Sequence, residues 1–151
     1  MRTLATIGYQ GTTMPDFLAA LEEGGIEIVV DIRAVASSRR PGFAKSALAA
    51  HLATRGIDYL HLRGLGTPAD GRAAARAGRH ARMRSIYGAH LRTAGARAEL
   101  ETLVELVRSG PRACLLCFEA DPAHCHRSIV AGALSRRLPL RVRHLAPTAD
   151  D

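Results

Sequence analysis

A chain of 151 residues with 47% hydrophobic content can bury one core but is too short for two, so a single domain is expected. No apolar run approaches the roughly 20 residues that cross a bilayer, and Met1-Arg2-Thr3 leads straight into a strand-like run, so the expectation is a cytoplasmic protein with no signal peptide and no membrane contact. The net charge is +7 and Lys45 is the only lysine; arginine suits planar oxyanions, but GC-rich coding also raises arginine, so only local clusters speak for an anionic partner.

Leu4 to Ile7 reads as a first strand running into the glycine-flanked loop Gly8-Tyr9-Gln10-Gly11. Thr13 and Asp16 then form a capping-box-like pair, and Phe17, Leu18 and Leu21 line one helical face before Gly24-Gly25. The two loop glycines lack the further glycines and the lysine of a phosphate loop or dinucleotide fingerprint. Ile26 to Ile32 holds a β-branched run typical of a parallel strand covered on both faces. It ends in Asp31-Ile32-Arg33, followed by a loop containing Ser38, Arg39, Arg40 and Pro41. Two chemistries fit this loop. Arg33 and Arg39 can fork onto a phosphate or carboxylate with Ser38 assisting, or Asp31 can pair internally with Arg33 or Arg39 and fix the loop.

Ala44 to Arg55 is an expected helix with Leu48 and Leu52 inward, stopped by Gly56. Ile57 to Leu62 alternates as a third strand, and His61 near its end suits either a structural hydrogen bond or a ligand contact. Residues 70 to 97 carry seven arginines (Arg72, Arg76, Arg79, Arg82, Arg84, Arg92 and Arg97) against Asp70, with a thin apolar stripe. This pattern predicts a basic helical arm or lid, mobile or partner-bound, able to track nucleic-acid phosphates or to make a homodimer contact. Glu99 to Arg108 is a firmer helix, Ala113 to Phe118 a buried strand, and Leu140 to Leu145 a last, edge strand.

The segment Cys117 to Ser128 concentrates the chemistry. An apolar strand stops in Glu119, Asp121, His124, Cys125, His126 and Arg127, and Asp121-Pro122 is a good helix opening. Cys125, at a helix start beside His126 and Arg127, has the surroundings that lower a thiol pKa, which would make it a nucleophile with Glu119 or His126 as acid or base. The odd cysteine count points to free thiols in a reducing compartment. Cys117, Cys125 and one histidine could alternatively ligate a metal, although no C-x-x-C pair is present. In a third arrangement the cysteines are ordinary buried thiols and Glu119 pairs with Arg127.

Strands alternating with helices predict an α/β fold, one three-layer, Rossmann-like domain with a mostly parallel sheet. Gly8, Tyr9, Arg33, Ser38, Arg39, His61, Glu119, Cys125, His126 and Arg127 then all fall near carboxyl ends of strands, where α/β ligands sit. A small phosphorylated or nucleotide-like anion is the expected ligand, with Cys125-dependent chemistry. A nucleic-acid-binding module and a metal-binding protein are the alternatives, and no cofactor is specified.

Thr6-Ile7-Gly8, Asp31-x-Arg33, Ser38-Arg39-x-Pro41-x-Phe43, Tyr59-x-His61, Leu65-Gly66, and Leu115-Leu116-Cys117-x-Glu119 with Cys125-His126-Arg127 together make the chain, over about residues 4 to 145, resemble the family filed as domain of unknown function 488. The resemblance implies a small bacterial α/β domain with no settled activity. The chain has Tyr9-Gln10 where that pattern has His-Ser, Ala36 where it has proline, and Thr67 where it has a second glycine, so no role of that histidine carries over.

Overall fold

The computed structural model describes residues 2–147. Five parallel strands make one sheet in the order β3-β2-β4-β1-β5, where β1 is Arg2–Gly8, β2 Ile28–Asp31, β3 Asp58–His61, β4 Ala113–Cys117 and β5 Leu140–Leu145. β5 is an edge strand, as its alternating arginines suggest.

Alternate residues of the inner strands enter two cores. Val29, Cys114 and Leu116 face a core shared with α1 (Met14–Glu23) and α2 (Lys45–Ala53). Leu4, Val30 and Leu115 face the opposite core, built with α3 (Ala69–Arg76), α4 (His80–Leu91), α5 (Ala94–Ser109) and α6 (His126–Ser135). The result is a single three-layer α/β domain, and the continuous apolar runs of β2 and β4 follow from burial on both faces.

Local chemistry agrees with these boundaries. Thr13 caps α1, its side chain accepting from the Asp16 N–H, and Thr93 caps α5 through Ala96 N–H. α5 therefore starts five residues before the expected Glu99. Asp121-Pro122 opens only a 3-10 turn, Pro122–His124, and Cys125 is the residue that caps α6.

Residues 70 to 97 fall in α3, α4 and the start of α5; α3 and α4 pack on each other, and Met83 and Tyr87 are buried in the second core. Tyr87 Oη donates to Leu65 O at 2.5 Å. The stripe is short, but Met83 and Tyr87 in it are buried and Ile86 packs partly buried beside them.

Candidate functional site at the carboxyl edge of the sheet

The connection leaving β4 runs to α6 on one face, whereas those leaving its neighbours β1 and β2 run to α1 and α2 on the other. Loops diverging to opposite faces open a crevice beyond the strand ends, the usual ligand position in such sheets. Here it is a cleft of about 500 Å³, within the roughly 300–1,000 Å³ of small-molecule sites.

Six of the expected residues line it: Tyr9, Arg33, Ser38, Glu119, Cys125 and His126. Gly8, Arg39, His61 and Arg127 do not. His61 Nε2 instead pairs with Arg33 O at 2.8 Å. The carbonyl of Glu119 passes so close to Gly8 that a Cβ there would sit 1.7 Å from the oxygen.

Arg33 is only 6% exposed and its guanidinium is committed internally. Nε and Nη2 fork onto the two oxygens of Asp31 at 2.9 and 2.7 Å, and Nη1 donates to Phe43 O at 2.7 Å and Tyr9 Oη at 3.2 Å. Tyr59 Oη also donates to Asp31, at 2.5 Å. Burial alone would lower the Arg33 pKa, but the Asp31 hydrogen bonds and charge more than offset it and hold Arg33 above its usual value. Of the two chemistries open to this loop, the internal one is present: Asp31 pairs with Arg33, and Tyr59, Tyr9 and Phe43 O complete the contacts of the two side chains.

Cys117 has the same strand parity as Leu115, so its side chain stands on the face that α6 covers, while Cys114 points to the other core. Cys125 caps α6 on that same face. Cys117 and Cys125 bring their sulfurs together across the cleft with Cα atoms 7.3 Å apart, while Cys114 is buried away from them. That separation exceeds the ~4.4–6.8 Å usual for disulfides, so the backbone leaves room for two separate thiols. Donor atoms of Cys117, Glu119 and Cys125 lie within 4.8 Å of one another, a cluster able to hold a metal. Glu119, not a histidine, is its third member.

His126 is a neutral, buried imidazole. Nε2 lies 2.7 Å from Ile32 O, a carbonyl that can only accept, so Nε2 carries the proton and Nδ1 presents its lone pair to Cys125 Sγ at 3.6 Å. Burial pushes the His126 pKa down to about 4, the Ile32 hydrogen bond opposing it only in part. Of the two cationic neighbours expected for Cys125, the imidazole is thus uncharged at neutral pH and Arg127 remains. Arg127 is fully buried, and burial pushes its pKa down as well. It does not pair with the Glu119 carboxylate: Nη2 donates to Ala120 O at 3.0 Å, and Nε and Nη1 have no partner among the described residues. Its role in view is to hold the β4–α6 loop.

The His126 shift has a measurable consequence. Its folded pKa lies below the ~6.5 of an unfolded histidine, so its neutral form contributes fully above pH 6.5 and stability falls as pH drops from 6.5 toward 4. At about 1.4 kcal/mol per pKa unit, the loss is expected to approach 3 kcal/mol. Urea unfolding at pH 7 and pH 4 should show a smaller difference in His126→Gln than in the parent; equal slopes would mean that other groups carry the pH dependence.

Sequence reasoning missed much of the cleft wall. Arg72 and Arg76, one turn apart on α3, line it, as do Val35, Phe118 and His124. Their i, i+4 spacing puts the two arginines on one face of α3, but spacing does not say whether that face meets the cleft. His124 also stacks on His80, ring centroids 4.0 Å apart. No described helix is long and apolar enough to cross a membrane.

A family model described as domain of unknown function DUF488 matches residues 13–134, most of the chain. No curated protein and no solved structure matches it.

Proposed function

We propose that this chain, which belongs to the domain of unknown function DUF488 family, binds a small phosphorylated anion in the carboxyl-edge cleft and presents Cys125 to it as a thiol nucleophile. The observation that carries this reading is that Cys125, the N-cap of α6, shares one cleft with Arg72 and Arg76. Cys125 makes no side-chain cap bond, so the first-turn N–H groups of α6 add positive potential beside its sulfur. Arg72 is steadied by donating from Nη1 to Thr67 O at 2.8 Å. The anion contact expected of Arg33 and Arg39 passes to Arg72 and Arg76, with Ser38 still at the wall. Thiol chemistry requires Cys125 in its reduced form; where oxidation joins it to Cys117, a dithiol reductant restores both thiols and itself becomes the disulfide.

A second reading, metal binding, is favoured by the convergence of Cys117, Glu119 and Cys125 donors. Two thiolates and a carboxylate suit zinc, and three protein ligands leave a fourth position for water or substrate.

Calorimetric titration of the reduced protein with inorganic phosphate, together with mass-resolved alkylation, tests both. Phosphate binding should weaken at least about tenfold in the Arg72→Ala/Arg76→Ala variant, since a charge-assisted hydrogen bond contributes roughly 1.5–3 kcal/mol, and bound phosphate should slow alkylation of Cys125. Undiminished binding in the double variant would remove the anion reading. Labelling of Cys117 and Cys125 released only by a chelator would establish the metal reading instead. A steep fall of affinity with added salt for an oligonucleotide but not for phosphate would assign the arginines of α3 and α4 to nucleic acid.

A further inference from the structure

Among the described residues, Val35 and Phe118 are the large apolar side chains left exposed, at 55% and 42%. Single exposed apolar residues are ordinary on a protein surface, but these two line the same cleft. They come from different connections, the loop after β2 and the loop after β4, so sequence proximity does not explain their meeting.

Phe118 is also braced. Tyr9 stacks on Phe43 with ring centroids 4.5 Å apart and planes 7° from parallel, and it meets Phe118 edge-on at 5.3 Å and 78°. The Tyr9 hydroxyl is fixed by Arg33, and Gln10 N–H donates to Phe118 O at 2.8 Å. An aromatic ring held from below by a buried tyrosine loses little conformational freedom when something stacks on it, which is what makes a good platform.

The same cleft holds Arg72 and Arg76, and no acceptor for the Arg76 guanidinium is found among the described residues. A ligand complementary to both features has a flat apolar part and an anionic part. Resting on the phosphate-binding reading above, we infer that the cleft takes a nucleoside 5′-phosphate, its base stacked on Phe118 against Val35 and its phosphate on Arg72 and Arg76. The nucleotide can be free or the 5′ end of a strand, since the recognising chemistry is the same. Glu119, also in the wall, adds an acceptor suited to a ribose hydroxyl or an exocyclic amine.

Calorimetry on the reduced protein with three probes separates the parts: adenosine 5′-phosphate, ribose 5-phosphate and inorganic phosphate. Adenosine 5′-phosphate should bind at least about tenfold more tightly than ribose 5-phosphate, as base–aromatic stacking allows. Phe118→Ala should erase that advantage and leave the ribose 5-phosphate affinity unchanged, while Phe118→Trp should keep it. Because Phe118 is exposed, an unchanged thermal midpoint is expected for both variants. Equal binding of adenosine 5′-phosphate and ribose 5-phosphate would overturn the base platform and leave the phosphate cleft standing. Binding of none of the three would overturn both. A 5′-phosphorylated oligoadenylate that binds more tightly than adenosine 5′-phosphate would identify the strand end as the source, and the reverse order the free nucleotide.

Discussion

Asp31→Ala should destabilise the protein by about 3–5 kcal/mol, the usual consequence of removing one partner of a buried ion pair. Asp31 is fully buried and takes three side-chain donors: Arg33 Nε, Arg33 Nη2 and Tyr59 Oη. Alanine would leave a guanidinium that is 6% exposed without its counter-charge and the Tyr59 hydroxyl without its acceptor. Burial, the Asp31 hydrogen bond and the Asp31 charge together hold the Tyr59 pKa above its ordinary value, so a spectrophotometric titration offers a second readout. In a folded Asp31→Ala variant the Tyr59 phenol should titrate at lower pH. Arg33→Met with Asp31→Leu, which removes both charges, should cost less than Asp31→Ala alone, because a buried charge without a partner is worse than none. Urea unfolding decides the matter, and a loss under 1 kcal/mol for Asp31→Ala would mean that water reaches the Arg33 guanidinium.

The second large effect concerns Gly8. Its Cα lies against the carbonyl of Glu119, and a Cβ would stand 1.7 Å from that oxygen and 3.0 Å from Arg127 Nη1. Neither the β1 backbone, paired to β4 at Gly8 and Cys117, nor the buried Arg127 can move cheaply. Gly8→Ala should therefore push the β4–α6 loop outward, at about 1–3 kcal/mol for overpacking or somewhat more. The functional signature is separable from the stability loss. Displacement of Glu119 should disperse the Cys117, Glu119 and Cys125 donors, so the reduced variant should alkylate Cys125 faster than the parent at a temperature where both are folded. Gly11→Ala is the control: Gly11 has positive φ of 73° but open space around it, so its cost is conformational strain alone and the cleft should be undisturbed. Identical labelling of the Gly8→Ala variant and the parent would show that the loop position does not govern the thiols.

Much of the architecture was legible because it rests on local physics. Strand periodicity and the β-branched run at Ile28 to Val30 require a covered parallel strand, caps such as Thr13 mark helix starts, and alternation of strands with helices forces the sheet's carboxyl ends to one edge. The same alternation brings Tyr9, Arg33, Ser38, Glu119, Cys125 and His126 to one edge, where they line a common cleft. Two features depended on distance across the fold. That Arg33 meets Asp31 follows from burial, since a nearly enclosed guanidinium takes the acceptors the core offers, here Asp31, Phe43 O and Tyr9 Oη. Whether His126 is a cation is decided by Ile32 O, ninety-four residues away, which fixes its tautomer while desolvation removes its charge.

Tertiary structure alone also supplied the wall formed by α3. The sequence shows that residues 70 to 97 are basic and helical, but charge and period say nothing about which arginines face inward. Packing of Met83 and Tyr87 into the core orients α3 and α4, and only then do Arg72 and Arg76 line the cleft near Phe118. The sequence by itself determined the fold class and the edge of the sheet at which chemistry gathers, because both follow from short-range periodicity. The partners of each ionisable group, and hence its charge, were decided by tertiary packing, because desolvation and hydrogen bonding act between residues that the chain order keeps apart.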